Sequence, residues 1–232
     1  MKLLLIGASG RTGRQLLAEA LRRGHQVTAL VRTPAKLAGV AHPQLTVVTG
    51  NLLRPATLAA VVPGHEAVLL AAASRGTAGT FPLAGGTANL IWQMQLVDVS
   101  RLLVLSRQGA GASRQEMSRW WQWTTRWPNR AEFADHDEQE EKIRHSGLAW
   151  TIVRATTLTE GPATGYVAAT SPQELPARVR GHIARADVAA FMLDQLTPSA
   201  PVRCCLTLTG AAVPQEASQT APSGASRWPS MG

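Results

Sequence analysis

Short apolar runs alternate with segments of helical period along most of the chain. Lys2–Ile6, Gln26–Val31, Leu45–Thr49, Ala67–Ala72, Leu102–Ser106, Ala149–Arg154 and Cys204–Leu208 read as strands. Between them, Arg11–Arg23 places Leu16, Leu17, Ala20 and Leu21 on one helical face. Pro55–Val62, Gly86–Val97, Ala131–His145 and Arg185–Leu196 also read as helices. Nearly continuous apolar strands separated by helices predict a parallel sheet covered on both faces. The order of elements predicts an α/β fold with a Rossmann-type doubly wound sheet.

Two stretches depart from this alternation. Residues 107–130 are rich in Arg, Ser, Gln and Trp, and hold Trp120, Trp121, Trp123 and Trp127. Three roles are open for these rings: a lid over an aromatic substrate, an oligomer contact, or packing of a helix on the sheet edge. Residues 211–232 are Ala-, Ser-, Pro- and Gln-rich and read as a disordered tail. Residues 1–210 are therefore expected to form one domain, with 107–130 as a substrate-side or interface insertion.

Composition narrows the class. The chain has 232 residues and a formal net charge of +8, with many of its arginines standing singly among apolar positions. No basic stripe interleaved with aromatics occurs outside 119–130, so a phosphate-bearing small molecule is expected to be the anionic partner, and nucleic acid is not. No apolar run is long enough for a membrane span, and Met1-Lys2 with four apolar residues is too short for a secretory signal. The two cysteines, Cys204 and Cys205, are adjacent and offer neither a disulfide framework nor metal-ligand spacing. A cytoplasmic protein without a metal is expected, and a homodimer is among the assemblies expected.

The clearest chemistry lies in Gly7-Ala8-Ser9-Gly10-Arg11-Thr12-Gly13, which follows the first strand and opens the first helix. Glycines there permit a tight turn, close approach of backbone to a pyrophosphate and close helix–strand packing. Amides at the helix start would face the phosphates, with Ser9 and Thr12 adding hydroxyls. The second strand ends Leu30-Val31-Arg32, with Lys36 four residues on. A carboxylate at that place would hold a ribose 2′-hydroxyl, whereas a guanidinium pairs with a 2′-phosphate. NADP(H) is the expected cofactor.

These residues resemble the atypical short-chain dehydrogenase/reductases that bind NAD(P)H, close to NmrA-like proteins and to biliverdin-IXβ reductase/flavin reductase. Gly7–Gly13 is similar to the family's glycine loop, and Leu30-Val31-Arg32 to its second-strand ending. Gly50-Asn51-Leu52 stands where the family has Gly-Asp-hydrophobic around the adenine. Residues 142–154 resemble the helix-turn-strand leading to the nicotinamide pocket. His182–Ala189 resembles the family's late marker, a turn capping the next helix. The resemblance implies that Asn51 and Leu52 cup the adenine and that Ala71, Ala72, Ala73 and Ser74 line the cofactor. It also implies that Ala155, Thr156, Thr157 and Leu158 pass the nicotinamide, with Ala155 standing where the family often has proline.

The Ser-Tyr-Lys proton-transfer set of ordinary members is not matched. Tyr166 is the one tyrosine, reads as a loop residue and has no lysine four positions on. The aligned Tyr and Lys positions hold Glu132 and His136, and the fifth strand ends Ser106-Arg107. Hydride transfer without that set suits a flat conjugated acceptor such as a flavin, quinone or tetrapyrrole, to which solvent can supply the proton. The expected roles are Ser106 as hydrogen-bond donor, Arg107 as anion partner and His136 as proton donor or orienter. A bland role competes for each: strand end, solvated charge, and a pair with Asp135 or Glu140. Glu132, Asp135, Asp137, Glu138, Glu140 and Glu141 hold six of the fifteen acidic residues and read as a solvated helix face. The expected function is an NADPH-dependent reductase of a conjugated small molecule. The alternatives are a non-catalytic NADP(H)-binding regulator of the NmrA-like kind and a non-redox isomerase or cyclase.

Overall fold

The computed structural model describes residues 1–73, 82–110, 130–169 and 181–210. The Trp-rich stretch from 111 to 129, Ser74 and the tail from 211 lie outside the described residues. Ten strands are described: β1 Lys2–Ile6, β2 Gln26–Val31, β3 Leu45–Thr49, β4 Ala67–Leu70, β5 Arg101–Arg107, β6 Ala149–Ala155, β7 Thr157–Thr159, β8 Tyr166–Ala169, β9 His182–Ala184 and β10 Cys204–Gly210. The described helices are α1 Arg11–Arg22, α2 Pro55–Val61, α3 Pro82–Leu96, α4 Arg130–Arg144 and α5 Arg185–Asp194.

The main sheet has the order β3-β2-β1-β4-β5-β6-β10-β8. Every neighbouring pair is parallel except β10–β8, so β8 closes one edge as an antiparallel strand. This is the doubly wound Rossmann-like sheet that the alternation predicts. β1 shows why its strands read as unbroken apolar runs. Leu3 and Leu5 enter one core with α1 and α5, whereas Leu4 and Ile6 enter a second core with α2 and α3. A strand buried on both faces has no polar side to alternate with.

Differences from the sequence reading are local and have visible causes. α3 begins a turn earlier than Gly86, because the carboxylate of Asp135 accepts the amides of Leu83 and Ala84 at 3.1 and 2.8 Å and so caps the helix from another element. Gly86 stays inside α3 because a Cβ there would stand 2.6 Å from Leu52 Cγ. Ala71 and Ala72 leave β4 rather than extend it. The segment before α5, read as a turn, is strand β9, paired in parallel with β7 through Thr157–His182, Leu158–Ile183 and Thr159–Ala184. Tyr166, read as a loop residue, heads β8, where Gly210 is its partner on β10. Its hydroxyl donates to Asp194 at 2.7 Å and its ring meets Phe191 edge-on at 5.2 Å. Burial and the neighbouring carboxylate push this phenol up to about 12. Tyr166 is a structural residue of the edge strand.

Candidate functional site

In a doubly wound sheet, the crevice for a ligand opens at the carboxyl ends of the strands, where the strand order reverses. Here the reversal falls between β1 and β4. Gly7 leaves β1 with φ +91°, and a Cβ on it would lie 2.6 Å from the Ala71 carbonyl oxygen. A left-handed residue in that contact must be glycine. Gly10 N donates to Gly7 O at 2.9 Å and closes the turn. Gly13 lies inside the first turn of α1, where a Cβ would collide with the Gly7 carbonyl. The loop thus presses on the helix start with no room for side chains, leaving its outer side to a ligand. Gly10 is the N-cap of α1, no side chain caps the helix, and no acidic residue stands in its first turn. Uncapped amides without a competing carboxylate suit a pyrophosphate.

Ser9 is half-buried at the loop and Thr12 is buried. Arg11 is exposed and reaches Glu160 at 3.5 Å. The same Glu160 oxygen takes the buried Arg185 at 2.8 Å. Arg32 and Lys36 are both exposed, one after β2 and the other in the short turn that follows, and no ion pair engages either among the described residues. Arg14 on α1 donates to Lys36 O at 2.7 Å and ties that turn to the helix. The Asn51 side chain accepts Leu53 N at 3.0 Å, an Asx turn that holds Leu52 against α3. Ala71 and Ala72 stand half-buried beside Gly7, and Ala73 is exposed.

At the other half of the crevice the structure divides the expected residues. Ser106 is buried and donates to Glu140 Oε1 at 2.8 Å. Glu140 is wholly buried and also takes Arg154 through Nε at 3.1 Å and Nη2 at 2.6 Å, and Arg144 at 2.8 Å. This cluster ties α4 to β5 and β6. The one proton of the Ser106 hydroxyl is spent there, so the geometry gives it a strand-to-helix tie in place of a donor turned to substrate.

Arg107, one residue on, pairs with Glu132 at 3.0 Å and lies 4.3 Å over the Phe133 ring. Glu132 and His136 are one helical turn apart on α4, the spacing at which side chains share a face. His136 is buried, and burial, with Arg107 adding, holds its imidazole below the ordinary histidine range. Its ring partner is neither Asp135 nor Glu140 but Gln139, with Nδ1 3.3 Å from Oε1. Gln139 Nε2 donates to Thr87 at 3.0 Å, which links His136 through the amide to α3.

The acidic run does not form one solvated face. Glu138 and Glu141 are exposed, whereas Asp135 caps α3 and Glu140 holds the arginine cluster. Charge density alone predicts solvation; partners donated by α3, β5 and β6 make burial possible. Ala155 is buried at the end of β6 and its carbonyl takes Gln108 N at 2.9 Å. Thr156 is buried, and Thr157 is exposed at the start of β7.

Residues 7–198 match the model of the NAD(P)H-binding family. The chain belongs to that family. Among its relatives, a Bacillus subtilis protein described as an uncharacterized sugar epimerase, YhfK, is 28% identical over 202 residues, covering 84% of this chain and 88% of that one. A shorter match to the Synechocystis photosystem II assembly factor Ycf39 is 36% identical over 77 residues and spans 24% of that protein's length. Among solved structures, ChuY, an anaerobilin reductase from Escherichia coli, superposes with TM-score 0.74 at 21% identity, over 92% of this chain and 99% of that one. A Veillonella parvula short-chain dehydrogenase/reductase in complex with NADP gives 0.73 at 20% identity, over 90% and 94%. These structures share the doubly wound Rossmann-like fold of this chain. Among the described residues of this chain, no helix is long and apolar enough to cross a membrane.

Proposed function

We propose that this protein is an NADPH-dependent reductase of a flat conjugated acceptor such as a flavin, quinone or tetrapyrrole. The observation that carries the reading is the pairing of the glycine cradle on β1–α1 with a polar Arg107–Glu132–His136 cluster at the β5–α4 edge. The cradle fits a dinucleotide because Gly7 and Gly13 let the loop close onto Ala71 and the start of α1, which leaves the uncapped amides of α1 open to a pyrophosphate. Gly7–Gly13 would hold the pyrophosphate, Arg32 and Lys36 the 2′-phosphate, Asn51 and Leu52 the adenine side, and Ala71–Ala73 with Ala155–Thr157 the nicotinamide half. The bound nicotinamide would supply a hydride. ChuY, an anaerobilin reductase of the same fold, supports the tetrapyrrole end of the acceptor range.

The chain's own groups do the positioning. Arg107, half-exposed and balanced by Glu132, can exchange that partner for an acidic group of the acceptor. His136 would hydrogen-bond the acceptor through Nε2 and orient its ring, while solvent supplies the final proton. The test is NADPH oxidation, followed by its near-ultraviolet absorbance, against a panel of flavin, quinone and tetrapyrrole. Turnover with at least one acceptor is expected. His136→Ala should lower kcat about tenfold, the loss of one orienting hydrogen bond worth about 1.4 kcal/mol. Cofactor binding without turnover on any acceptor would favour a non-catalytic NADP(H)-binding regulator.

Arg32→Ala is expected to weaken NADPH binding by about 1.5–3 kcal/mol, the value of a hydrogen bond to a charged group. NADH binding should hardly change, because NADH lacks the 2′-phosphate. Titration of both cofactors by fluorescence checks this, and equal losses for the two would sink the assignment.

A further inference from the structure

One step beyond the Glu140 cluster, the sheet carries two buried hydroxyls that the described residues leave unanswered. Thr156 N donates to Leu208 O at 3.0 Å, which extends the parallel β6–β10 ladder past its Ala155–Leu208 pair. Thr156 therefore stands beside Thr209 on the neighbouring strand, at the spacing of about 4.8 Å typical of paired strands. Ala155 and Leu208 belong to the core shared with α1 and α5. By alternation Thr156 and Thr209 take the opposite face, where Arg154 meets Glu140 of α4. Thr156 is 7% exposed and Thr209 1%, and among the described residues neither Oγ1 has a hydrogen-bond partner. Burying an unpaired hydroxyl costs about 1–3 kcal/mol, so two together at the carboxyl ends of the strands call for a ligand oxygen.

We propose that Thr156 and Thr209 form a two-hydroxyl clamp for a carbonyl oxygen conjugated with the carbon that the acceptor presents for reduction. The inference rests on the reductase reading above. In the step it serves, a hydride, carrying two electrons, leaves C4 of NADPH and forms a C–H bond on that carbon. The displaced π pair moves to the carbonyl oxygen as an enolate, NADP⁺ remains, and a solvent proton neutralises the oxygen. Negative charge grows on that oxygen during transfer, so hydroxyl donors hold it more tightly in the transition state than in the ground state. The clamp is neutral and the nearby guanidinium of Arg154 is bound to Glu140, which suits a carbonyl better than a carboxylate.

The test uses the full chain, with menadione and biliverdin as acceptors, and the variants Thr156→Val and Thr209→Val beside Thr156→Ser and Thr209→Ser. Valine keeps the branched shape and removes the hydroxyl. Without ligand, both valine variants should melt above wild type, because each deletes an unanswered buried polar group. For an acceptor that wild type reduces, each valine variant should lower kcat ten- to hundredfold, and each serine variant should stay within threefold. The Kd for NADPH should stay within twofold in the Thr209 variants. Acceptor binding to the NADP⁺-loaded protein, read by the shift in the acceptor's visible absorbance, should also weaken in the valine variants. If wild type binds acceptors but reduces none, while valine still weakens that binding, the reductase reading fails and the clamp stands. If valine variants reduce acceptors as fast as wild type does, the clamp fails alone. A lower melting temperature with unchanged turnover would mean that a bridging water answers the hydroxyls, and would overturn the proposal. So would an effect confined to NADPH affinity. Acceptors that neither bind nor react with wild type overturn both readings.

Discussion

Glu140→Ala is expected to destabilise the protein by about 3–5 kcal/mol, the cost of removing one partner of a buried ion pair. Glu140 is wholly buried and its two oxygens receive Ser106, Arg154 and Arg144. Arg144 is partly exposed and can turn to water, but Arg154 has only 7% of its side chain exposed and would lose the carboxylate that meets both its Nε and Nη2. Urea denaturation of the variant, followed by circular dichroism, measures the loss. A decrease under about 1 kcal/mol, the ordinary level of a surface pair, would show that the cluster does not hold α4 to the sheet. The double variant Glu140→Leu/Arg154→Met should recover most of the loss, since apolar replacements of a buried pair are often neutral or stabilising. In that double variant Ser106 loses its acceptor as well, so NADPH oxidation by the refolded protein also reports whether the serine serves the reaction or only the fold.

Gly13→Ala should undo tight cofactor binding, weakening NADPH by about five- to 150-fold. The added Cβ would collide with the Gly7 carbonyl and come within 2.9 Å of Ala8 Cα. Both obstacles are backbone, so α1 must move away from the loop that its own amides complete. Overpacking of this kind costs about 1–3 kcal/mol, and about 1.4 kcal/mol is a tenfold change in affinity. NADPH and NADH should lose alike, in contrast to the selective effect at Arg32. Gly39→Ala is the control: nothing lies within 4 Å of a Cβ there. Isothermal titration of the two variants separates them, and a Gly13→Ala protein that binds NADPH like Gly39→Ala would remove the loop from the cofactor site.

The parts of this site that were legible in the sequence are those whose chemistry is local. Gly7, Gly10 and Gly13 could be read because a turn with left-handed backbone and a helix seated on it demand glycine at fixed offsets, whatever the rest of the chain does. Arg32 could be read because its position follows from the end of a strand with a clear apolar run. The Glu132–Glu141 stretch could not be read the same way. Six acidic residues suggest a wet face, yet Asp135 caps a helix 51 residues away in sequence and Glu140 gathers groups from two strands. Burial of a carboxylate depends on which donors arrive beside it, and those donors lie far off along the chain. Tyr166 misled for the same reason: its short strand gains its place only from β10, with which it pairs.

The sequence by itself determined the strand–helix alternation, the doubly wound sheet, the glycine cradle and the basic residues after β2. Each rests on hydrophobic period or on a backbone conformation that one residue type permits. The tertiary structure alone decided that Ser106 ties a helix, that Glu140 is a buried anchor, and that Thr156 and Thr209 meet. Those outcomes depend on the order in which β5, β6 and β10 lie side by side. A hydroxyl or a carboxylate is read as solvated until its neighbours across the sheet are known, because only they fix whether water or protein answers it.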